Sequence, residues 1–176
     1  MLPVIAHALE QSRINSMADY KINVKWRLEG SDFAPDIYNR DHILDFGNQN
    51  RLCASATSDY HGNPSCVNAE QTLVAALASC HMLTFLALAS KRGFIVTSYA
   101  DEATGNLGKN EAGRTAITKI ELHPSVMFFH DKAPTQDEFV RLQHRAHETC
   151  FIANSLANCV KVTTIAHFET TEHFEA

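Results

Sequence analysis

The sequence predicts an α+β fold, a sheet built around a long central apolar helix and a second, more polar helix. Three observations carry this. In "YKINVKWRL", Tyr20, Ile22, Val24, Trp26 and Leu28 alternate with Lys21, Asn23, Lys25 and Arg27, the period-two pattern of a strand with one wet face. Residues 73–90, "LVAALASCHMLTFLALAS", form an apolar run too long for a strand. In "PTQDEFVRLQHRAHETC", Thr135 can cap a helix, and Glu138 stands three residues on, where a capping box needs it.

The remaining elements follow in chain order. "MLPVIAHALEQSRINS" has no basic leader region, and His7 and Glu10 break its short apolar run, so it reads poorly as a secretory signal. The strand pattern starts just after Met17, so residues 1–16 are expected to be a loosely attached extension of one domain spanning 1–176, or an upstream start. "HILDF", residues 52–57 and "FIVTSYADEA" are further strand candidates. "TAITKIELHPSVMFFH" reads as one strand interrupted near Pro124, and "CVKVTTIAHFE" closes the sheet with β-branched residues. The central helix is expected over residues 69–92. Asn68 caps it, Gln71 completes a capping box, Glu70 sits near the positive end of the helix dipole, and Gly93 ends it.

Composition narrows the function classes. A chain of 176 residues with 45% hydrophobic content fills one domain comfortably. The net charge is −5, and Lys and Arg are scattered without a basic block, which disfavours nucleic acid and anionic membrane surfaces as partners. The five cysteines are odd in number, widely spaced and free of any CxxC pair. That usage fits thiols kept reduced in a cytoplasm rather than structural disulfides. The apolar run of 73–90 has barely the length of a membrane span, contains Ser79, Cys80, His81 and Thr84, and lies between soluble strand patterns; a core position is the better reading.

Cys80 lies near the middle of that helix. Its neighbours at three and four residues are Ala76, Leu77, Leu83 and Thr84, while His81 points elsewhere. No base is supplied locally, and an apolar setting raises a thiol's pKa. On these residues alone, Cys80 reads as a space-filling buried cysteine.

The segments "YNRDH", "NAEQTLVAALASCHMLTFLALASKRGF" and "HRAHETCFIANS", in that order, resemble the OsmC/Ohr family of thiol-dependent hydroperoxide reductases, and its OsmC-like branch more than its organic-hydroperoxide-resistance branch. The resemblance spans residues 20–162. It implies an antiparallel sheet wrapped on the central helix, in an intertwined homodimer with its sites at the subunit interface. It also implies that Cys80 is the peroxidatic thiolate, that Cys150 resolves its sulfenic acid as a disulfide, that Arg40 stabilises the thiolate and that Glu70 holds the arginine. The implied partners are an organic hydroperoxide, with hydrogen peroxide as a second substrate, and an external dithiol such as a lipoylated protein. No metal or haem cofactor is expected.

Chemistry explains why such a set is needed. Peroxide reduction is thiolate attack on an O–O bond, so the site must favour the thiolate and stabilise the departing oxygen. A guanidinium does both, and its burial requires a carboxylate partner. Glu70 and Cys80 stand ten residues apart on one helix, about 15 Å along its axis, so they cannot meet within a chain. A two-fold dimer that pairs the central helices would bring Glu70 and Arg40 of one subunit to Cys80 of the other.

Two other functions compete. A non-enzymatic thiol sensor or binding protein could keep the same cysteine pair. His144, His147 and Cys150 form an HxxHxxC run that could present metal ligands, although three-residue steps drift around a helix. Without the resemblance, Arg40 is an ordinary surface arginine and Glu70 a helix-start charge. Cys53, Cys66 and Cys159 read as unpaired thiols, with Cys159 a third candidate for thiol exchange.

Overall fold

The computed structural model describes residues 19–172; the expected extension, residues 1–16, lies outside them. The chain divides into two compact units, one ending at Val67 and the other starting at Asn68.

The first unit carries a three-stranded antiparallel sheet of β1 (Asn23–Lys25), β2 (His42–Asp45) and β3 (Arg51–Ala54). Its register stacks Val24, Leu44 and Leu52 across one face. On the other face the nearly buried Asp45 carboxylate accepts a hydrogen bond from Lys25 Nζ at 2.8 Å and lies 3.4 Å from Arg51 Nε. The excursion between β1 and β2 is pinned by Asn39, whose side chain accepts from Glu29 N–H and donates to the Arg27 carbonyl. Trp26 Nε1 donates to the Asn39 carbonyl, and the rings of Trp26, Phe33 and Tyr38 pack together above it.

The alternating pattern of residues 20–28 differs from expectation in one respect. Only three residues join the ladder, and the apolar side chains are exposed: Ile22 at 46%, Val24 at 64% and Trp26 at 44%. Period two is present, but among the described residues the apolar face of this strand is exposed.

The second unit is assembled on α1 (Ala69–Lys91). Both arms of its capping box form: Asn68 Oδ1 accepts from Gln71 N–H at 2.7 Å, and Gln71 Oε1 accepts from Asn68 N–H at 3.0 Å. Leu77, His81, Phe85 and Ala89, one turn apart, make the buried stripe, and Leu83 on the opposite face is 60% exposed. By length and composition α1 could cross a bilayer; here its stripe packs into two apolar cores.

Those cores are backed by two three-stranded sheets. One orders β4 (Val96–Asp101), β7 (Pro124–Phe129) and β9 (His167–Thr171), the other β5 (Thr104–Lys109), β6 (Thr115–Leu122) and β8 (Lys161–Thr164). β4–β7 and β5–β6 pair antiparallel, whereas β8 and β9 join parallel, so the sheets are mixed rather than purely antiparallel. The interruption expected near Pro124 falls at His123, which separates β6 from β7 and donates its N–H to Asp101 Oδ1 at 2.7 Å. The expected closing strand is likewise two strands, β8 and β9.

Two helices complete this unit: α2 (Gln136–Thr149), with Thr135 and Glu138 forming its capping box, and α3 (Phe151–Leu156). One core gathers Phe85, Phe128 and Phe139 at centroid separations of 5.9–6.3 Å, all in edge contacts. The other gathers Leu77, Ile120, Leu122, Cys150, Ala153 and Val160.

Candidate functional site

Cys80 lies three residues beyond Leu77 on α1, at the edge of the second core, and is half-buried. Cys150 occupies the corner between α2 and α3, ending the first helix and capping the second. Its backbone leaves the helical region at φ −72°, ψ 119°, and its Sγ accepts the Ala153 N–H at 3.4 Å. This corner turns the Cys150 side chain inward, where it is 0% exposed. The two sulfurs meet at 2.7 Å, with the Cys150 S–H donating to Cys80 Sγ.

Burial, first, and then the hydrogen bond with Cys80 push the Cys150 thiol up to about 11; the Ala153 N–H opposes the rise, and the charge of Cys80 adds a lesser one. Cys150 therefore holds its proton at neutral pH and presents it to Cys80. Charge that develops on Cys80 is met by a hydrogen-bond donor, and the sulfur that faces solvent is Cys80. A disulfide needs about 2.05 Å between sulfurs, so joining them takes a movement of about 0.7 Å.

A buried polar pair escaped the sequence reading. His81 Nε2 donates to Gln143 Oε1 at 2.8 Å, joining α1 to α2 next to Cys80 and seven residues before Cys150. Desolvation holds the imidazole below its usual range, so His81 is neutral and its Nε2 carries the proton. The signal available in the sequence was a histidine one turn from both Leu77 and Phe85, on what proves to be the buried stripe.

The other expected site residues are placed as follows. Glu70 is exposed in the first turn of α1, and the helix runs unbroken to Cys80, which keeps them about 15 Å apart. Arg40 belongs to the first unit, two residues before β2. Its guanidinium donates to the Tyr38 and Pro35 carbonyls and stacks over the Tyr38 ring at 4.0 Å. Glu70, Cys80 and Cys150 belong to the second unit.

Two sequence readings are corrected. Cys53 and Cys66 are a disulfide, not unpaired thiols. His144, His147 and Cys150 do not converge on a common point: among the described residues the three-ligand cluster lies elsewhere, His144 Nδ1 faces Glu148 Oε1 at 3.5 Å, and Cys150 Sγ faces Cys80. Cys159 is a free, exposed thiol near the Leu156 carbonyl.

The OsmC-like protein family model matches residues 62–165, which include both Cys80 and Cys150. No curated protein sequence matches the chain. Among solved structures, an OsmC-like protein of unknown function from Vibrio cholerae is 37% identical, with a TM-score of 0.81 over 86% of this chain and 100% of that one. An organic hydroperoxide resistance protein from Elizabethkingia anophelis matches at 17% identity and TM-score 0.65, covering 87% of this chain and 99% of its own. One from Bacillus subtilis matches at 17% and 0.57, covering 84% and 98%. At that identity the two resistance proteins share the fold alone.

Proposed function

The chain belongs to the OsmC-like protein family, and from that premise we propose that it is a thiol-dependent peroxidase reducing organic hydroperoxides, and hydrogen peroxide less readily, in defence against oxidative stress. The observation that carries this reading is the 2.7 Å approach of a half-buried Cys80 and a fully buried Cys150 from elements 70 residues apart.

Cys80 as thiolate attacks the distal peroxide oxygen; the O–O bond breaks, Cys80 becomes a sulfenic acid, and the alkoxide leaves as alcohol after protonation. Cys150, losing its proton, attacks the sulfenic sulfur, water departs and the disulfide closes. An external dithiol, with lipoylated proteins among the candidates, restores both thiols by exchange. The apolar cluster against which Cys80 packs, with Leu77 and Ile120 among its members, favours an organic tail on the peroxide.

The working form in this reading is a cytoplasmic homodimer. Exposed Val24 and Trp26 on the alternating strand and exposed Leu83 on α1 support a second copy as the missing cover. Arg40 and Glu70 of one subunit would then serve Cys80 of the other. Mass spectrometry after one equivalent of cumene hydroperoxide tests the chemistry. It should find a Cys80–Cys150 disulfide in the wild type and a trappable Cys80 sulfenic acid in Cys150→Ser; absence of both sinks the proposal. The full burial of Cys150 also favours a second reading, a slow stoichiometric thiol sensor. Turnover with a dithiol but not with a monothiol separates the enzyme from the sensor.

A further inference from the structure

The Cys53–Cys66 disulfide lies wholly within the first unit, where its Cα atoms stand 5.0 Å apart. The backbone brings the two cysteines together. Val67 N–H donates to the Cys53 carbonyl at 3.1 Å, Ser55 N–H donates to the Val67 carbonyl at 2.9 Å, and Ala54 bridges Val67 in parallel. The connecting loop turns back through His61, in the left-handed region at φ 59°, and through Gly62, where a Cβ would stand 1.7 Å from the Ala56 carbonyl oxygen. Only glycine closes the loop this tightly.

The same loop aims a carboxylate at the sulfurs. Asn63 Nδ2 donates to Asp41 Oδ2 at 2.8 Å, while Asn63 N–H donates to Ser55 Oγ at 3.0 Å. An Asp41 oxygen and the two Sγ atoms all lie within 4.8 Å of one another.

We propose that Asp41, Cys53 and Cys66 are a redox-gated zinc site, closed to metal as the disulfide and opened by two-electron reduction. The donor set suits the ion, since Zn²⁺ accepts thiolate sulfur at about 2.3 Å and carboxylate oxygen at about 2.0–2.2 Å, with water as a fourth ligand. Tetrahedral placement sets such sulfurs about 3.8 Å apart, so the two thiolates must part from their bonded separation once the disulfide is reduced. Opening consumes one external dithiol, which becomes a cyclic or linked disulfide as Cys53 and Cys66 gain two electrons and two protons. Zn²⁺ then displaces the two thiol protons. Closing consumes one hydroperoxide: the thiols give up two electrons, an alcohol and a water form, and the metal is released. This chemistry is independent of the Cys80–Cys150 pair.

The test uses the full chain carrying Cys80→Ser, Cys150→Ser and Cys159→Ser, in which Cys53 and Cys66 are the sole thiols. After reduction with dithiothreitol and its anaerobic removal, the chain should bind one Zn²⁺, measured against a chromophoric chelator. One Co²⁺ should give thiolate-to-cobalt charge-transfer absorption. The oxidised chain should bind neither, Asp41→Asn should weaken uptake at least tenfold, and hydroperoxide should release one Zn²⁺ per disulfide formed. No stoichiometric uptake by the reduced chain, or an affinity unchanged in Asp41→Asn, overturns the site. Should the triple variant not fold, melting of the reduced wild type decides. A rise in Tm with Zn²⁺ that disappears in Cys53→Ser/Cys66→Ser supports the proposal, and no rise overturns it.

Discussion

Cys150 touches Cys80 through a sulfur–sulfur contact of 2.7 Å, yet Cys150 is wholly buried whereas Cys80 retains contact with the surface. In the proposed peroxidase cycle this asymmetry would order the two thiols, with peroxide meeting Cys80 first and Cys150 acting once Cys80 is oxidised. Cys80→Ser should therefore lower peroxide turnover by about 10³-fold or more. Cys150→Ser should leave the first oxidation fast but limit the protein to one turnover. Stopped-flow kinetics with cumene hydroperoxide measures both, and equal losses of the first step in the two variants would contradict the order.

The raised pKa of Cys150 would make the proposed disulfide closure depend on pH. The attacking species is the thiolate, whose fraction grows about tenfold per pH unit until the pH nears the pKa. Burial, the largest cause of the shift to about 11, persists after Cys80 is oxidised, whereas the contribution of the Cys80 charge does not. Closure should thus accelerate steadily from neutral to alkaline pH, and a flat profile would assign deprotonation to another base. The same group affects stability. Its ordinary value is 9.0, so between about 9 and about 11 the folded chain binds more protons than the unfolded one. Stability that is complete below 9 is lost as pH rises through 11. Urea melts at both ends of this window should show a larger loss for the wild type than for Cys150→Ser.

The His81–Gln143 hydrogen bond joins the helix of Cys80 to the helix that ends at Cys150, so it positions one sulfur against the other. Gln143→Ala strands a buried imidazole N–H and should cost about 1–3 kcal/mol in urea unfolding. Looser docking of α2 should also slow disulfide closure, read as more Cys80 sulfinic acid at high peroxide, while the first oxidation keeps its rate. The buried histidine sets an acid limit as well. Its folded pKa lies below the ordinary 6.5, so stability is complete above 6.5 and falls as the pH drops toward the folded value. His81→Leu should flatten this acid dependence; an unchanged slope would show that other groups govern it.

Both long helices were legible because their starts are written locally: Asn68 with Gln71 and Thr135 with Glu138 each form the expected reciprocal cap. The break near Pro124 was legible because proline has no N–H to give a strand ladder. β5 was not, since "TGNLGK" has two glycines and an asparagine, and its strand exists through packing. A Cβ on Gly105 would lie 2.7 Å from the Val74 side chain of α1, so the glycine admits the strand against the helix. Cys53 and Cys66, 13 residues apart, carry no spacing signal; their pairing follows from the loop closing at Gly62 and the bridge at Val67. The approach of Cys80 to Cys150 was equally hidden in the residues themselves. It entered through family resemblance, because a contact between a mid-helix position and an interhelical corner has no local code.

Glu70 and Cys80 share one straight helix, so a site that uses both requires two chains. A complementation experiment decides this directly. Neither Cys80→Ser nor Arg40→Ala chains alone should turn over hydroperoxide well, the first lacking the thiol and the second the cation. In a hybrid dimer, the intact Cys80 of one chain would face the intact Arg40 of the other, restoring one site of two. Random re-pairing of equal amounts makes half the dimers hybrid, so about a quarter of wild-type activity should return. If Arg40 instead serves the Cys80 of its own chain, every site in the mixture lacks one component and mixing restores nothing. Val24→Asp, which places a charge on the exposed apolar face, should yield monomers by sedimentation and lower turnover in step with dimer loss; a fully active monomer would remove the second chain from the mechanism.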